Sequence, residues 1–264
     1  MAIYGKALTS AYIKLEPKPV LNDNKWKVIK QVADASQGPN YWAVGDRKQV
    51  HLSGTAGGKT WDDDYWVYII GFDHNSAKEG IGIAFQGFKT AQTGGVDICL
   101  IGDRYQSTIS GGFRMNTSGT NSGGWNGSYA YNTQCPQIKA CLPTDLQAVI
   151  RTTTLYTDNT GTSTSASAVT SNDNQVYYLA EYEVFGSTTN ANANEAAQQA
   201  QYAYYQAGNS KIKYRSDSTS TAAYWWLRSP SRNYSSSFCC VNANSTAGGI
   251  SADNGEGTAP CFKV

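Results

Sequence analysis

Apolar and polar positions alternate, or apolar ones run on, in a way that predicts short strands along most of the chain. Residues 49–53 alternate cleanly and run into Gly54, and residues 26–32 alternate in part. Residues 65–72 are apolar throughout, as in a strand buried on both faces. Residues 82–86 and 96–101 continue the series, and 211–214, 224–228, 238–241 and 262–264 close it. Residues 176–185 read as a further strand that alternates at its C-terminal end. Helical signals fall in two places. Pro143 suits a first turn, Asp145 favours the N-terminal dipole, and Leu142, Leu146, Val149 and Ile150 share one face. Residues 194–206 are Ala-rich, with Glu195 in the first turn and Gly208 to cap the end. Residues 107–134, around Trp125, and 157–174 read as polar loops. There is no βαβ rhythm, repeat or heptad. The expected class is α+β, mixed short-stranded sheets with two helices, whose two ends can meet in one sheet. Residues 1–25, with Pro17, Pro19 and Asn22-Asp23-Asn24, read as an N-terminal arm or linker, and residues 26–264 as the domain.

Composition narrows the function. Charged residues make up 16% of the 264 residues, against about 25% in an ordinary chain, and the net charge is +1. A balanced, charge-poor chain lacks the basic face of a nucleic-acid binder. No run of 18 apolar residues predicts membrane insertion, and the N-terminus lacks the apolar stretch of a signal peptide. The 18 Tyr, 7 Trp and 26 Gly, with many Ser, Thr and Asn, match antibody loops. They equally match secreted or virion β-rich proteins. The six cysteines form no CxxC, and with only two histidines a zinc site is not expected. Cys135 and Cys141 can bridge in an oxidising place; most of the thiols read as free.

Isolated chemical candidates have ordinary explanations. His74, in Asp73-His74-Asn75-Ser76, has no GxSxG elbow to serve and reads as a locally bonded loop histidine. Asp62-Asp63-Asp64 offers oxygens to calcium but lacks EF-hand spacing, so a solvated turn is expected. Thr55-Ala56-Gly57-Gly58-Lys59-Thr60 lacks phosphate-loop spacing. Glu181 and Glu183 fall on one face of the expected strand, as an acid pair or with one of them bridged to a core arginine. Neither cofactor nor metal nor enzymatic activity is expected.

The C-terminal segment is the most specific part. Trp225-Trp226-Leu227-Arg228-Ser229-Pro230, a later Val241 and Ala259-Pro260-Cys261-Phe262 resemble the pattern W-W-x-R-S-P … V … G … A-P-A-F. Tyr41-Trp42-Ala43-Val44-Gly45-Asp46, residues 70–76 and Leu179-Ala180-Glu181-Tyr182-Glu183-Val184-Phe185-Gly186 fit the same pattern. It is that of phage and prophage proteins of gut bacteria with a C-type-lectin-like domain, many of them variable proteins of diversity-generating retroelements. The departure is Cys261, where the family usually has Ala, a small-for-small exchange. In such systems adenine-directed retro-mutagenesis rewrites the 3′ end of the gene. Asn codons altered at their adenines never yield Lys, Glu, Gln, Met or Trp. Those five types supply 43 of 264 residues, yet residues 227–255 contain none. Residues 151–174 also lack all five, so the gap is consistent with diversification without being unique to it.

The resemblance implies a C-type-lectin-like fold with a C-terminal variable segment of about 227–258. Trp225, Trp226, Arg228, Pro230, Phe238, Val241, Ala259, Pro260 and Phe262 would be scaffold, and Arg228 would clamp the loop that follows it. The variable, ligand-binding face would comprise Leu227, Ser231, Arg232, Asn233, Tyr234, Ser236, Cys239, Asn242, Asn244, Ser245, Asp253 and Asn254. The implied role is a receptor-binding or adhesin protein in a virion tail or surface, or on a bacterial cell surface. Its partner would be a host-cell surface protein or glycan, and its assembly a homotrimer or attachment to other virion proteins. A non-diversified structural or decorating domain is the alternative. A formylglycine-generating-type enzyme ranks last, because that chemistry uses spaced cysteines and Cys239 and Cys240 are adjacent.

Overall fold

A computed structural model describes residues 16–264. Thirteen strands form four sheets: β1 (Arg47–Ala56), β2 (Lys59–Phe72), β3 (Ile83–Lys89), β4 (Ile98–Cys99), β5 (Thr153–Asp158), β6 (Val169–Asn174), β7 (Val176–Tyr177), β8 (Lys213–Arg215), β9 (Ser218–Ala223), β10 (Trp225–Pro230), β11 (Ser237–Val241), β12 (Ala247–Ser251) and β13 (Cys261–Lys263). With several short helices this is an α+β architecture. The largest sheet is antiparallel, in the order β1-β2-β3-β13-β7. The last strand of the chain thus sits inside the sheet built by the first three. Buried apolar side chains from Leu21 to Val264 form one cluster.

The first hairpin follows from its turn. Ala56 pairs with Lys59, leaving Gly57 and Gly58 between them at φ +61° and +74°. Two consecutive positive φ angles are what a two-residue type I′ turn requires, and glycine supplies them without strain. The glycine-rich stretch is therefore a hairpin turn. Beyond it, Asp62, Asp63 and Asp64 lie exposed on β2, where His51 bonds Asp62 and Asp64 at 2.9 and 3.0 Å.

Several expected elements are corrected. Residues 26–32 are not a strand but the start of a helix, Trp26–Asp34. Its buried residues include Trp26, Ile29 and Ala33 together with Val28 and Val32, which is a helical stripe that partial alternation conceals. Trp26 packs edge-on against Phe85 and Phe262 at 5.4 and 6.0 Å. Residues 176–185 split into β7 and the helix Glu181–Phe185. Glu183 bonds back to the Ala180 N–H at 2.9 Å, and Gly186 at φ +68° ends the helix, so the end signals outweigh the alternation. The expected helix 194–206 is a 3-10 turn, Ala193–Ala197, and a short helix, Ala203–Gln206. Tyr202 interrupts it by donating its N–H to the Glu183 carbonyl. The helix near 143–150 is one turn, Thr144–Gln147, and a further helix, Cys135–Cys141, precedes it. Residues 157–174 are not all loop, since β6 pairs with β5 along six residues. The 107–134 segment is not a surface loop either, because it buries Phe113, Met115, Asn121 and Trp125.

Of the expected arm, residues 1–15 lie outside the described residues. Residues 18–24 dock on the domain: Leu21 is buried, and the Trp42 indole donates to the Lys18 carbonyl at 3.1 Å. No helix among the described residues is long and apolar enough to cross a membrane.

Central placement makes β13 a structural keystone. Replacing Phe262, stacked on Phe85 at 5.4 Å, with alanine should cost about 3–5 kcal/mol by urea unfolding. Ile109→Ala, at a side chain that is 66% exposed, should stay within about 0.5 kcal/mol of wild type. Equal midpoints for the two variants would contradict this placement.

Candidate functional site

The Trp225–Pro230 strand is buried at every position, so each polar atom on it needs a partner. The Trp225 indole donates to the Lys211 carbonyl and the Trp226 indole to the Phe113 carbonyl, both at 3.0 Å. Arg228 is fully buried. Its Nη1 and Nη2 donate to the two Glu183 carboxylate oxygens at 2.6 and 2.5 Å, its Nη1 also to the Tyr178 carbonyl, and its Nε to Thr157 Oγ1. Burial opposes the charged guanidinium, but the Glu183 carboxylate outweighs it and holds the Arg228 pKa above the ordinary arginine value. Arg228 therefore clamps another part of the chain, not the loop that follows it. Ser229 Oγ donates to Glu195 at 2.6 Å and accepts from the Glu181 N–H.

Glu181 and Glu183 are not an acid pair. They sit on a helix with separate tasks. Glu183 serves Arg228, while Glu181 accepts the N–H groups of Thr189, Asn190 and Ala191 at 2.7–3.0 Å and so fixes that loop.

The segment after Pro230 is held from outside. Asn121, 1% exposed, donates through Nδ2 to the carbonyls of Ser231, Tyr234 and Ser237 at 3.0, 3.1 and 2.9 Å. Its backbone N–H donates to the Ser235 carbonyl. At the far end, Ser107 and Gly255 pair, Glu256 donates its N–H to the Phe113 carbonyl, and Thr258 and Leu100 exchange hydrogen bonds. Asn121 is a residue that sequence reasoning missed. A polar residue inside a Ser/Gly/Asn-rich stretch carries no local sign of burial, and only its long-range partners reveal it.

Three of the twelve candidate binding residues are corrected. Leu227, Ser231 and Cys239 are fully buried. Leu227 lies on β10, which is covered on both faces. Cys239 is on β11, the middle strand of its sheet. Ser231 turns its hydroxyl to the N–H groups of Asn233 and Tyr234. None of them can touch a ligand in this structure. Asn233, Tyr234 and Asn244 are exposed, with Tyr234 at 66%. Arg232, Ser236, Asn242, Ser245, Asp253 and Asn254 are partly exposed. Pairing of Ser237 with Ser251 and of Val241 with Ala247 places residues 242–246 at one end of the hairpin. Residues 231–236 and 252–254 lie at the other.

A groove of roughly 430 Å³ runs along β12 and joins the ends, lined by Asn242, Gly248, Gly249, Ile250, Asn254 and Glu256 among others. A Cβ on Gly248 would fall 2.2 Å from Asn242 Oδ1, so a larger residue there would displace the Asn242 side chain. Glu256 is 1% exposed, and its Oε2 has no hydrogen-bond partner among the described residues. Burial pushes its carboxyl up to about 8, against a hydrogen bond with Asn254 that acts the other way. At neutral pH the groove thus holds a largely neutral carboxylic acid, a second feature the sequence did not signal.

The remaining candidates have structural settings. His74 is buried, stacked on Tyr202 with ring centroids 3.6 Å apart, and burial pushes its pKa down to about 4. All six cysteines are free and buried. Burial raises the Cys239 and Cys240 thiols well above the ordinary value. Among the described residues no group of three or more His, Cys, Asp or Glu is placed to hold a metal ion.

With this geometry in view, residues 109–264 match the family described as domain of unknown function (DUF6273). The chain belongs to that family. The matched region starts in the segment that supplies Asn121 and ends with β13, so it contains Asn121, Glu183, Arg228 and the whole β12 hairpin. No curated protein and no solved structure matches the chain.

Between its ordinary 4.5 and about 8, Glu256 keeps in the folded chain a proton that the unfolded chain has released. Folded stability therefore falls as pH rises through that window. Glu195, fully buried and pushed up to about 7 by burial, acts in the same sense. His74 acts oppositely, lowering stability as pH drops from 6.5 towards 4. Urea unfolding from pH 6.5 to 8 should show wild type losing stability and Glu256→Gln losing less. Parallel curves for the two proteins would refute the assignment of Glu256.

Proposed function

We propose that this chain is a ligand-binding protein of C-type-lectin-like fold, phage-encoded, that displays a C-terminal surface diversified by adenine-directed retro-mutagenesis. The observation that carries the reading is the division of labour within residues 225–262. Trp225, Trp226, Arg228, Pro230, Phe238, Val241, Ala259, Pro260 and Phe262 are all buried. Asn233, Tyr234, Asn242, Asn244, Asp253 and Asn254 reach solvent from the same segment. A position that must accept many residue types has to be one where substitution costs little, and surface sites meet that condition while core sites do not. The closing of β13 between β3 and β7 supports the lectin-like fold, in which the two ends of the domain share a sheet. The role would be receptor binding or adhesion at a virion or bacterial surface, toward a host protein or glycan. Tyr234 would be its anchor, since exposed aromatics in polar patches make strong contacts.

The non-diversified alternative rests on Leu227, Ser231 and Cys239, buried residues inside the proposed segment. A catalytic use of Cys239 and Cys240 is disfavoured, because a thiol raised by burial supplies little thiolate.

Sequencing the gene's 3′ end in many copies from one bacterial population tests the proposal. Adenine-directed substitutions should concentrate at the codons for Asn233, Tyr234, Asn242, Asn244, Asp253 and Asn254 and spare those for Leu227, Ser231 and Cys239. Invariant copies, or substitutions spread evenly over buried and exposed codons, would favour the structural alternative.

A further inference from the structure

Away from the β12 groove, a pocket of roughly 440 Å³ opens between the Gly57–Gly58 turn and the 108–117 segment. Arg114 is its one charged lining residue. The side chain is 5% exposed and forms no salt bridge among the described residues. Its Nε donates to the Gly111 carbonyl at 3.0 Å, and its Nη2 to the Ile109 and Gly111 carbonyls at 3.1 and 2.6 Å. These bonds hold the guanidinium in place and use every proton on Nε and Nη2. Both Nη1 protons are left without an acceptor among the described residues. Buried charges are ordinarily paired, as Arg228 in this same chain is paired with Glu183.

The rest of the wall offers uncharged hydrogen-bonding groups: the hydroxyls of Thr55, Ser110, Thr117 and Tyr129 and the amide of Gln137. The nearby Asp103 does not line the pocket. Its Oδ1 accepts the Gly112 N–H at 2.6 Å, and its Oδ2 faces Arg104 at 3.6 Å.

From a fixed, uncompensated guanidinium ringed by hydroxyls and an amide, we propose that this pocket binds an acidic sugar. The sugar carboxylate sits on Arg114 Nη1 and its hydroxyls meet the Ser, Thr and Gln side chains. The volume suits one or two sugar rings, within the range of about 300–1,000 Å³ for small-ligand sites. The site is independent of the diversified face and does not rest on it.

Calorimetric titration of the full chain with glucuronate, glucose and inorganic phosphate, each up to tens of millimolar, tests the proposal. Glucuronate should bind at least about tenfold more tightly than glucose and than phosphate, and added salt should weaken it. Arg114→Gln should lose at least about tenfold in affinity. Arg114 also braces its loop, so Gln137→Leu serves as a second variant. The Gln137 side chain makes no hydrogen bond among the described residues, and its replacement should weaken glucuronate severalfold without moving the melting temperature. Glucose binding as well as glucuronate, phosphate binding as well as glucuronate, no binding of glucuronate, or full affinity in a folded Arg114→Gln or Gln137→Leu protein would each overturn the proposal.

Discussion

The C-terminal half of this chain is organised around one buried ion pair, Arg228 with Glu183. Four pieces of chain meet there: β10, the helix Glu181–Phe185, the Tyr178 carbonyl and Thr157 on β5. A charge buried so completely is tolerable only when it is paired and well hydrogen-bonded, and removing one partner of such a pair costs about 3–5 kcal/mol. The Ala180 N–H adds a third donor to the carboxylate, which ties the helix start to the same centre. Ser229, next along β10, reaches Glu195 and the Glu181 N–H. A short, wholly buried strand thereby becomes a fixed reference against which the following 30 residues are placed.

That placement explains how a segment of Ser, Gly, Asn and Ala can have a defined shape. Such a stretch buries too little apolar surface to order itself against its conformational entropy. Order comes instead from hydrogen bonds: the segment's own β11–β12 ladder and bonds made by residues outside it. Asn121 holds three carbonyls at one end, and pairing with residues 107–113 and Leu100 holds the other. Of the side chains that point to solvent between those anchors, those of Asn233 and Tyr234 make no hydrogen bond among the described residues, whereas Asn242, Asn244 and Asp253 bond Thr246 or Ser251 within their own turns. The fixed frame and the tolerant surface are two consequences of one bonding pattern.

Sequence alone made the strands of strong apolar character legible, β2 and β3 above all, along with the α+β class and the buried Trp225-Trp226 pair. In the Trp26–Asp34 helix, Trp26, Val28 and Val32 alternate as a strand would, and only Ile29 and Ala33 complete the helical stripe. The helix at Glu181–Phe185 was hidden by the same alternation, although Glu183 and Gly186 carry its end signals. Within the candidate face polarity predicts exposure, yet the polar Ser231 is buried, its hydroxyl turned to the N–H groups of Asn233 and Tyr234. Leu227 and Cys239 are buried because their strands, β10 and β11, are covered on both sides, which no local pattern encodes. Asn121, Arg114 and Glu256 owe their settings to residues far away in sequence, so they could be found only in three dimensions.

The central claim is that residues 225–258 combine an intolerant frame with a tolerant surface. Saturation mutagenesis of this segment, read out by protease resistance of the displayed protein, measures that directly. The account predicts near wild-type resistance for most substitutions at Asn233, Tyr234, Asn244 and Asp253, and collapse for nearly all at Trp225, Trp226, Arg228, Phe238 and Val241. A flat profile across both groups, or collapse at the exposed positions, would contradict it.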